Sequence, residues 1–348
     1  MNNYLPVTIL TGFLGSGKTT LINNLLNHNQ HEKIMIIENE FGPINIDSTL
    51  LKSDRNIEIL EMTNGCICCS VQGELISALH HLYQRRLNGE IAFDRLIIET
   101  TGLADPAPIL QTFFIDEFIR ETIQLDAVVT LVDCEHIIND LNEHRVIASQ
   151  IGFADKIILT KTDRISDDEK IIIVKRISNI NRKATILEAK HGQIAKSQWL
   201  DINAFQLNDD LHLNNGLFIF ENDRSLTDKS MLLKSASNLQ KSYNDEIYSY
   251  LFEAGELDLK KIGEFTETLI EQYGNDMLRY KGVLAIKDQL QKLIVQGVHK
   301  VVGFDYGQQW ENEQDKVSKF IIIGRKLPFK ELKQKFLLTA VNKSYLKK

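Results

Sequence analysis

The amino-acid sequence predicts an α/β domain with a mostly parallel, doubly wound sheet, followed by a smaller α+β domain of ferredoxin-like type. Between residues 7 and 159, short β-branched runs alternate with helical patterns, as in repeated βαβ units. A polar stretch from Asp201 to Asn215 interrupts this pattern, and half-buried strands follow it. The length of 348 residues suits two domains. We therefore predict a first domain over residues 1–205 and a second over residues 206–348.

A glycine-rich segment joins the first predicted strand, Val7–Leu10, to the first predicted helix. It matches G-x-x-x-x-G-K-[ST] from Gly12 to Thr19, the pattern of a phosphate-binding P-loop. We expect its backbone N–H groups to cradle phosphates, Lys18 to reach the β- and γ-phosphates, and the Thr19 hydroxyl to bind Mg²⁺. The predicted nucleotide-binding residues of this segment are Gly12, Gly15, Ser16, Gly17, Lys18, Thr19 and Thr20.

Two further strands end in residues suited to the same site. Glu38 and Glu40 follow the predicted strand Lys33–Ile37, where a switch loop is expected, although a solvated acidic turn is the alternative. Glu99 ends the next strand, where its carboxylate can hold Mg²⁺ through water. The backbone N–H of Gly102 can approach a γ-phosphate, because glycine has no Cβ. Lys18, Glu99 and Gly102 are therefore the predicted catalytic residues.

Three of the four cysteines, Cys66, Cys68 and Cys69, fall within four residues. Thiolates are soft ligands that prefer Zn²⁺, which takes four ligands in a tetrahedron. Glu74, the Glu38 and Glu40 pair, water or a client protein could supply the fourth ligand. The pattern predicts an open, labile metal site, and a redox or structural role is the alternative.

The strand Lys156–Leu159 ends in Thr160-Lys161-Thr162-Asp163. In guanine-specific P-loop proteins this position reads N-K-x-D, and its aspartate accepts two hydrogen bonds from guanine that adenine cannot donate. We expect Asp163 to read the base and the stem of Lys161 to pack over it. Thr160 stands where asparagine is usual, so its hydroxyl would support the loop instead.

Composition excludes several classes of protein. A net charge of −7 and a pI of about 5.8 argue against a nucleic-acid partner, which would require a basic face. The sequence shows no apolar run long enough for a membrane span and no secretory signal at its start. These features predict a cytoplasmic protein whose cysteines are reduced thiols.

Beyond residue 215 the patterns predict several strands and two helices, and His299 is the one candidate for chemistry, with a core or surface position as its alternative. The predicted strands are Phe218–Phe220, Ile247–Leu251, Leu278–Ile286, Leu293–Val302 and Lys319–Gly324, and the predicted helices are Leu259–Tyr273 and Pro328–Phe336.

Taken together, the P-loop, Glu38-Asn39-Glu40-Phe41-Gly42, the C-x-C-C segment, Glu99–Pro106 and Thr160–Asp163 resemble the CobW-type P-loop GTPases, most closely their YjiA-type branch. Arg279-Tyr280-Lys281-Gly282, Gln296–His299 and Ile323-Gly324-Arg325 resemble that family's carboxyl-terminal domain, so the resemblance covers nearly the whole chain. It implies a metal-binding GTPase that acts as a metallochaperone or insertase. Zinc is the commonest cargo, with cobalt or nickel in relatives, and Cys66, Cys68 and Cys69 would carry the metal together with Glu38 or Glu74.

The working hypothesis is metal delivery controlled by GTP, because the C-x-C-C segment lies between two loops expected to contact the γ-phosphate. A client metalloprotein would dock on these loops or on the carboxyl-terminal domain. Two alternatives remain open: a P-loop kinase of a small molecule, and a nucleotide-dependent scaffold whose cysteines hold structural zinc.

Overall fold

A computed structural model describes residues 4–28, 32–39, 57–61, 70–205, 247–312 and 316–341. Several predictions concern residues outside these ranges. They are Glu40, Cys66, Cys68, Cys69 and the strand Phe218–Phe220. The domain boundary after residue 205 also stays a prediction, because residues 206–246 lie outside the described ranges.

The amino-terminal part of the chain forms a seven-stranded sheet among the described residues, in the order β3-β2-β4-β1-β5-β6-β7. The strands are β1 (Leu5–Gly12), β2 (Ile34–Asn39), β3 (Ile57–Glu61), β4 (Arg95–Thr100), β5 (Ile123–Asp133), β6 (Lys156–Thr160) and β7 (Thr185–Glu188). Every neighbouring pair is parallel. From β1 the chain adds β2 and β3 toward one edge of the sheet. It then returns to place β4 between β2 and β1, and adds β5, β6 and β7 toward the other edge. The prediction of a doubly wound α/β domain is therefore confirmed.

Helices cover both faces of this sheet, because its strands are apolar on both sides. On β4, Ile97 packs with Leu21 and Ile22 on one face, whereas Leu96 and Ile98 join the larger core on the other. The helices are α1 (Lys18–His28), α2 (Ser70–Leu87), α3 (Ala107–Ile115), α4 (Glu117–Thr122), α5 (Ile137–Glu143), α6 (Arg145–Phe153), α7 (Asp167–Ile180) and α8 (Lys196–Trp199). No helix among the described residues is long and apolar enough to cross a membrane.

The carboxyl-terminal part forms an antiparallel five-stranded sheet in the order β11-β10-β9-β12-β8. Its elements are β8 (Ile247–Ala254), α9 (Leu259–Tyr273), β9 (Met277–Ala285), β10 (Gln291–Val298), β11 (Val301–Gln309), β12 (Ser318–Arg325) and α10 (Phe329–Leu337). One face of the sheet packs against both helices through a core that includes Phe265, Phe320 and Phe336. This arrangement confirms the predicted α+β class.

The prediction of one strand over Leu293–Val302 is wrong. The segment is a hairpin, in which β10 pairs with β11 and the chain reverses at His299 and Lys300. His299 adopts a φ of +52°, a conformation that favours glycine and that other residues rarely take. The turn nevertheless contains no glycine, so the sequence does not mark it. The nearby Gly297 lies within β10 instead, where a Cβ would come 2.0 Å from the ring of Tyr280.

The other face of the carboxyl-terminal sheet packs onto the amino-terminal core. Leu278 and Ile323 belong to the same apolar cluster as the amino-terminal strands. A Cβ at Gly152, near the end of α6, would lie 2.8 Å from the side chain of Leu278. Arg279 crosses this contact, since its Nη1 donates to the carbonyl of Phe153 at 2.7 Å. Both sheets therefore meet at the carboxyl end of α6.

Candidate functional site

The glycine-rich segment forms a tight loop between β1 and α1. Gly12, Gly15 and Gly17 have φ values of +143°, +71° and +97°, a region that residues with a side chain rarely adopt. At Gly12 there is also no room, because a Cβ would lie 2.5 Å from the carbonyl oxygen of Leu131 on β5. The glycines therefore allow the loop to curl directly above the sheet, with α1 beginning at its end.

Lys18, the first residue of α1, is 9% exposed, and its ammonium group lies inside the loop. Its Nζ donates to the carbonyl of Gly12 at 2.9 Å and lies 3.5 Å from the carbonyl of Phe13. The cation is thus held at the centre of the loop, beside the start of a helix whose free N–H groups also favour an anion.

A cleft of about 290 Å³ opens above this loop. Its lining combines the loop with the ends of β2 and β4. The lining residues are Leu14, Gly15, Ser16, Gly17, Lys18, Thr19, Thr20, Glu38, Glu99, Thr100, Thr101 and Gly102. The structure therefore brings together most of the predicted nucleotide-binding residues, both predicted Mg²⁺ ligands and one predicted ligand of the transition metal.

Two carboxylates lie side by side in the cleft. Glu38 and Glu99 are direct partners in the register of β2 and β4, and they are 3% and 8% exposed. Because the two residues are paired at the ends of neighbouring parallel strands, which lie about 4.8 Å apart, both carboxylates lie at the same edge of the sheet. Glu38 is also the register partner of Glu61, the last residue of β3. β3 therefore ends at this edge of the sheet too, and in the sequence the segment with the three cysteines follows it.

The turn after β4 rests on the glycine-rich loop. A Cβ at Gly102 would lie 2.6 Å from the backbone nitrogen of Leu14, so glycine is required for this contact. The Thr100 hydroxyl donates to the hydroxyl of Thr11 at 2.8 Å, and the N–H of Ala104 donates to the carbonyl of Thr101 at 3.1 Å. Gly102 is therefore held at the mouth of the cleft, as its predicted role requires.

The predicted base-reading segment lies beside the loop. The Thr160 hydroxyl donates to the carbonyls of Ser16 at 2.9 Å and Val132 at 3.2 Å, which ties the end of β6 to the glycine-rich loop. Lys161 has a φ of +54°, and Asp163 is exposed in a short 3₁₀ helix, Thr162–Arg164. Neither Lys161 nor Asp163 is among the described residues that line the cleft. Their predicted roles stay predictions.

A carboxylate at the end of β5, missed by the sequence reasoning, holds Lys161 in place. Oδ2 of Asp133 lies 2.6 Å from Nζ of Lys161 and 2.9 Å from Nδ1 of His136. Burial alone would raise the pKa of Asp133, but the hydrogen bonds from Lys161 and His136 outweigh it and lower that pKa. The Asp133 hydrogen bond in turn raises the pKa of the exposed His136.

Asp133, Glu135 and His136 also place three ligand atoms within 4.8 Å of one another. Lys161 already pairs with Asp133, and Arg164 pairs with Glu135 at 2.8 Å. These ion pairs account for the cluster, so we assign no metal to it. His136 precedes α5 and makes no capping hydrogen bond with its side chain.

The sequence reasoning also missed the loop after β7. The Asn24 side chain on α1 donates to the carbonyl of His191 at 3.2 Å, and a Cβ at Gly192 would lie 2.7 Å from both Thr20 and Asn24. The loop therefore packs against α1 and follows the strand next to β6, which carries the Thr160–Asp163 segment. Its signal in the sequence is a short apolar strand followed by Ala189-Lys190-His191-Gly192.

The remaining predicted residues lie elsewhere. Glu74 is half-buried on α2 and is not among the described residues that line the cleft. The fourth cysteine, Cys134, is a buried free thiol directly after β5, and burial raises its pKa to about 12. His299 is half-buried against the ring of Phe153, with the ring centroids 5.9 Å apart.

Comparisons with known proteins match both parts of the chain. The family described as CobW/HypB/UreG, nucleotide-binding domain, matches residues 6–188. The family described as the cobalamin synthesis protein cobW C-terminal domain matches residues 249–338. The zinc chaperone YjiA of Escherichia coli is 37% identical over 335 residues, which cover 96% of this chain and 98% of that protein.

Two further comparisons agree with these. The zinc-regulated GTPase metalloprotein activator 1 of Schizosaccharomyces pombe is 36% identical over 208 residues, covering 58% of this chain and 50% of that protein. The crystal structure of the Zn(II)-bound YjiA GTPase from E. coli superposes with a TM-score of 0.73 and 31% identity, covering 97% of this chain and 99% of the other.

Proposed function

Because the chain belongs to the CobW/HypB/UreG family, we propose that it binds and slowly hydrolyses GTP, and that the bound nucleotide controls the binding and transfer of zinc or a related metal. The observation that carries this proposal is the position of Glu38. This predicted metal ligand lies in the nucleotide cleft, in register with Glu99 on one side and with the strand that leads into the C-x-C-C segment on the other.

The loop and Lys18 bind the phosphates. Gly15, Gly17 and Thr19 line the cleft, where their backbone N–H groups would donate to phosphate oxygens, and Nζ of Lys18 would exchange its carbonyl partner at Gly12 for phosphate oxygens. The Thr19 hydroxyl and the Glu99 carboxylate line the same cleft, and such oxygen donors suit Mg²⁺. When bound there, Mg²⁺ would neutralise charge on the β- and γ-phosphates.

Gly102 completes the site by donating its N–H to the γ-phosphate, a contact that GDP cannot make. Among the described residues that line the cleft there is no arginine that could stabilise charge in the transition state. We therefore expect slow turnover of the protein alone, on the order of 10⁻⁴ to 10⁻² s⁻¹. Base selection falls to Asp163, with Lys161 packed over the base.

Cys66, Cys68 and Cys69 bind the transition metal in this proposal, and Glu38 is a better fourth ligand than Glu74. Glu38 lies beside Glu99 and the P-loop, whereas Glu74 lies on α2 outside the described cleft lining. A ligand shared with the nucleotide cleft makes metal affinity depend on the nucleotide. Linkage then requires that bound metal change the affinity for GTP by the same factor. The coupling free energy in such cases is typically about 1–3 kcal/mol.

The names of the relatives support zinc as the cargo, since two of them are a zinc chaperone and a zinc-regulated GTPase. Cobalt or nickel would fit the same soft thiolates. The cargo passes to a client metalloprotein that docks on the switch segments or on the carboxyl-terminal domain. A cytoplasmic location suits this role, because thiols stay reduced there.

The test is a zinc titration of the reduced protein against a competing chelator, with GDP and with a non-hydrolysable GTP analogue plus Mg²⁺. We expect the dissociation constant of zinc to shift by about tenfold or more between the two states. The shift should disappear when Cys66, Cys68 and Cys69 are replaced by serine. Cys134→Ala is the matched control, because its thiol is buried and stays protonated.

Other outcomes identify the alternatives. Equal zinc affinity in both nucleotide states, with unfolding on chelation, would favour a scaffold with structural zinc. Nucleoside diphosphate formation that depends on an added metabolite would favour a small-molecule kinase. An unchanged zinc affinity in the triple serine variant would show that the cysteine ligands are wrongly assigned.

A further inference from the structure

A buried glutamine on α6 contacts the turn that carries Gly102. Gln150 is 0% exposed, and its Nε2 donates to the carbonyls of Gly102 and Ala104, both at 3.1 Å. Because an amide has donors at its nitrogen end alone, two carbonyl partners fix the orientation of this side chain. Nothing in the predicted site uses Gln150, and its contacts join residues 46 and 48 positions apart in the chain.

The neighbouring residue strengthens the same contact. The Ser149 hydroxyl donates to Oδ2 of Asp105 at 3.2 Å, while Oδ1 of Asp105 accepts the N–H of Ala107 at the start of α3. Two successive residues of α6 therefore hold both the turn and its exit into the next helix. On its other side the turn meets Leu14 of the P-loop.

Helix α6 is a firm support for this contact. Its residues from Ile147 to Phe153 are buried without a break. Thr130 on β5 donates its hydroxyl to the carbonyl of Gln150 at 2.9 Å, and Arg279 donates to the carbonyl of Phe153 at 2.7 Å. The helix is therefore fixed between the parallel sheet and the carboxyl-terminal sheet.

The turn needs such a support because of its glycine. A side chain at position 102 would collide with the P-loop, so the residue must be glycine. Glycine, however, also has the largest backbone freedom, and a free turn would present its N–H to the γ-phosphate at an entropic cost. Donors that are oriented before the ligand arrives bind developing charge better than donors that must first be ordered.

We propose that Gln150 is a positioning residue for the γ-phosphate, which orients the Gly102 turn without touching the nucleotide. This inference rests on the proposed GTPase function. It predicts that Gln150 contributes to the binding of GTP, which has a γ-phosphate, and contributes little to the binding of GDP. A residue that merely fills the core would affect both nucleotides alike.

The test compares Gln150→Met with the wild-type protein. Methionine keeps the length of the side chain but leaves two buried carbonyls without this donor. We expect the affinity for a non-hydrolysable GTP analogue with Mg²⁺ to fall by about tenfold, and that for GDP to change by less than about twofold. The turnover number for GTP should fall as well, because the same turn contacts the reacting phosphate.

Asn181→Leu is the matched control. Asn181 is also a buried amide, and its Nδ2 donates to the carbonyls of Ile151 and Ala154 at 2.8 Å, which belong to the carboxyl end of α6 and not to the Gly102 turn. We expect a comparable loss of thermal stability with an unchanged ratio of GTP-analogue to GDP affinity. The inference is overturned if Gln150→Met leaves that ratio unchanged, or if Asn181→Leu shifts it equally.

A measurement on the wild-type protein covers the case in which Gln150→Met does not fold. The side-chain NH₂ protons of Gln150 should exchange with solvent far more slowly than those of an exposed glutamine, since both are hydrogen-bonded in the core. Exchange at the rate of an exposed amide would overturn the inference. If the wild-type protein itself neither prefers nor hydrolyses GTP, the proposed function fails, independently of Gln150.

Discussion

Replacing Lys281 by methionine tests whether the contact between the two sheets buries an uncompensated cation. Lys281 lies on β9, is 6% exposed and donates its Nζ to the carbonyl of Ala204 at 3.1 Å. Arg279 faces the same side and pairs with Asp155 at 2.9 Å, while Lys183 lies 3.5 Å from that carboxylate. Burial, and then the charge of Arg279, lower the pKa of Lys281 to about 8.

The lowered pKa sets the size and sign of the effect. The ordinary value is 10.5, so the folded protein holds this proton less tightly than the unfolded chain between pH 8 and pH 10.5. In that window the unfolded state binds more protons, and stability therefore rises with pH. At about 1.36 kcal/mol per pKa unit, the gap between 10.5 and about 8 amounts to about 3 kcal/mol, all of which opposes folding at neutral pH.

The assay is urea unfolding of the wild-type protein and Lys281→Met at several pH values. We expect the wild-type protein to gain about 2 kcal/mol relative to the variant between about pH 7.5 and about pH 9.5. Methionine fills the space of the lysine stem but leaves the carbonyl of Ala204 without this donor. That second effect does not depend on pH, so it shifts the difference without changing its slope.

Lys287→Met is the control, because Lys287 follows β9 in the chain but is exposed. Its difference from the wild-type protein should be flat across the same pH range. Burial also lowers the pKa of Lys183, and the charge of Lys281 adds to that lowering. Its loss in Lys281→Met therefore changes the difference between the two proteins with pH in the same direction. A difference for Lys281→Met that stays constant with pH would refute the reasoning, because it would mean that water reaches this lysine and keeps it charged.

Three further substitutions test single contacts. Gly102→Ala puts a Cβ 2.6 Å from a P-loop backbone nitrogen, so we expect at least about a tenfold loss of affinity for a GTP analogue, measured by competition with a fluorescent nucleotide. Asp133→Asn removes the charged partner of Lys161, and GDP and GTP affinities should fall together, by about three- to tenfold, because both nucleotides share the base. Arg279→Met leaves Asp155 with fewer partners in the core, so unfolding in urea should show a loss of about 3–5 kcal/mol.

The parallel sheet and its nucleotide edge could be predicted because their signals are local. A run such as Leu96-Ile97-Ile98 is buried on both faces of the sheet, and a continuous apolar run is what such a strand requires. Glu38 and Glu99 each follow one of these runs directly, Gly102 lies in the turn just after Glu99, and parallel strands all end at one edge. The sequence alone therefore placed them in one cleft with the P-loop.

The β10–β11 hairpin was not predictable in the same way. Its two strands meet at a two-residue turn formed by His299 and Lys300, and neither residue is typical of such turns. The glycine at position 297 is explained by Tyr280 on the neighbouring strand, a contact that local sequence does not reveal. A sequence reveals a hairpin when glycine or asparagine stands at the turn itself. Here neither turn residue is of that kind, and the nearby glycine serves packing against Tyr280 instead.

Contacts between distant segments account for the other omissions. From the sequence, Gln150 is expected at the solvent-facing edge of an apolar helix. It is fully buried instead, because its hydrogen-bond partners lie on the turn after β4. Asp155 precedes an apolar strand, and its partner Arg279 comes from the other sheet. A single sequence shows that such polar residues exist but not which distant groups satisfy them.

The segment Arg279-Tyr280-Lys281-Gly282, part of the family resemblance, is explained by packing. The Tyr280 ring occupies the space beside Gly297, and its hydroxyl donates to the carbonyl of Val301 at 3.1 Å. Arg279 and Lys281 point the other way and donate to carbonyls of the amino-terminal part, those of Phe153 and Ala204. Alternate residues of one strand thus hold the carboxyl-terminal sheet together and attach it to α6 and to Ala204. Since α6 also carries the amide that holds the Gly102 turn, substitutions in this strand should be assayed for nucleotide affinity as well as for stability.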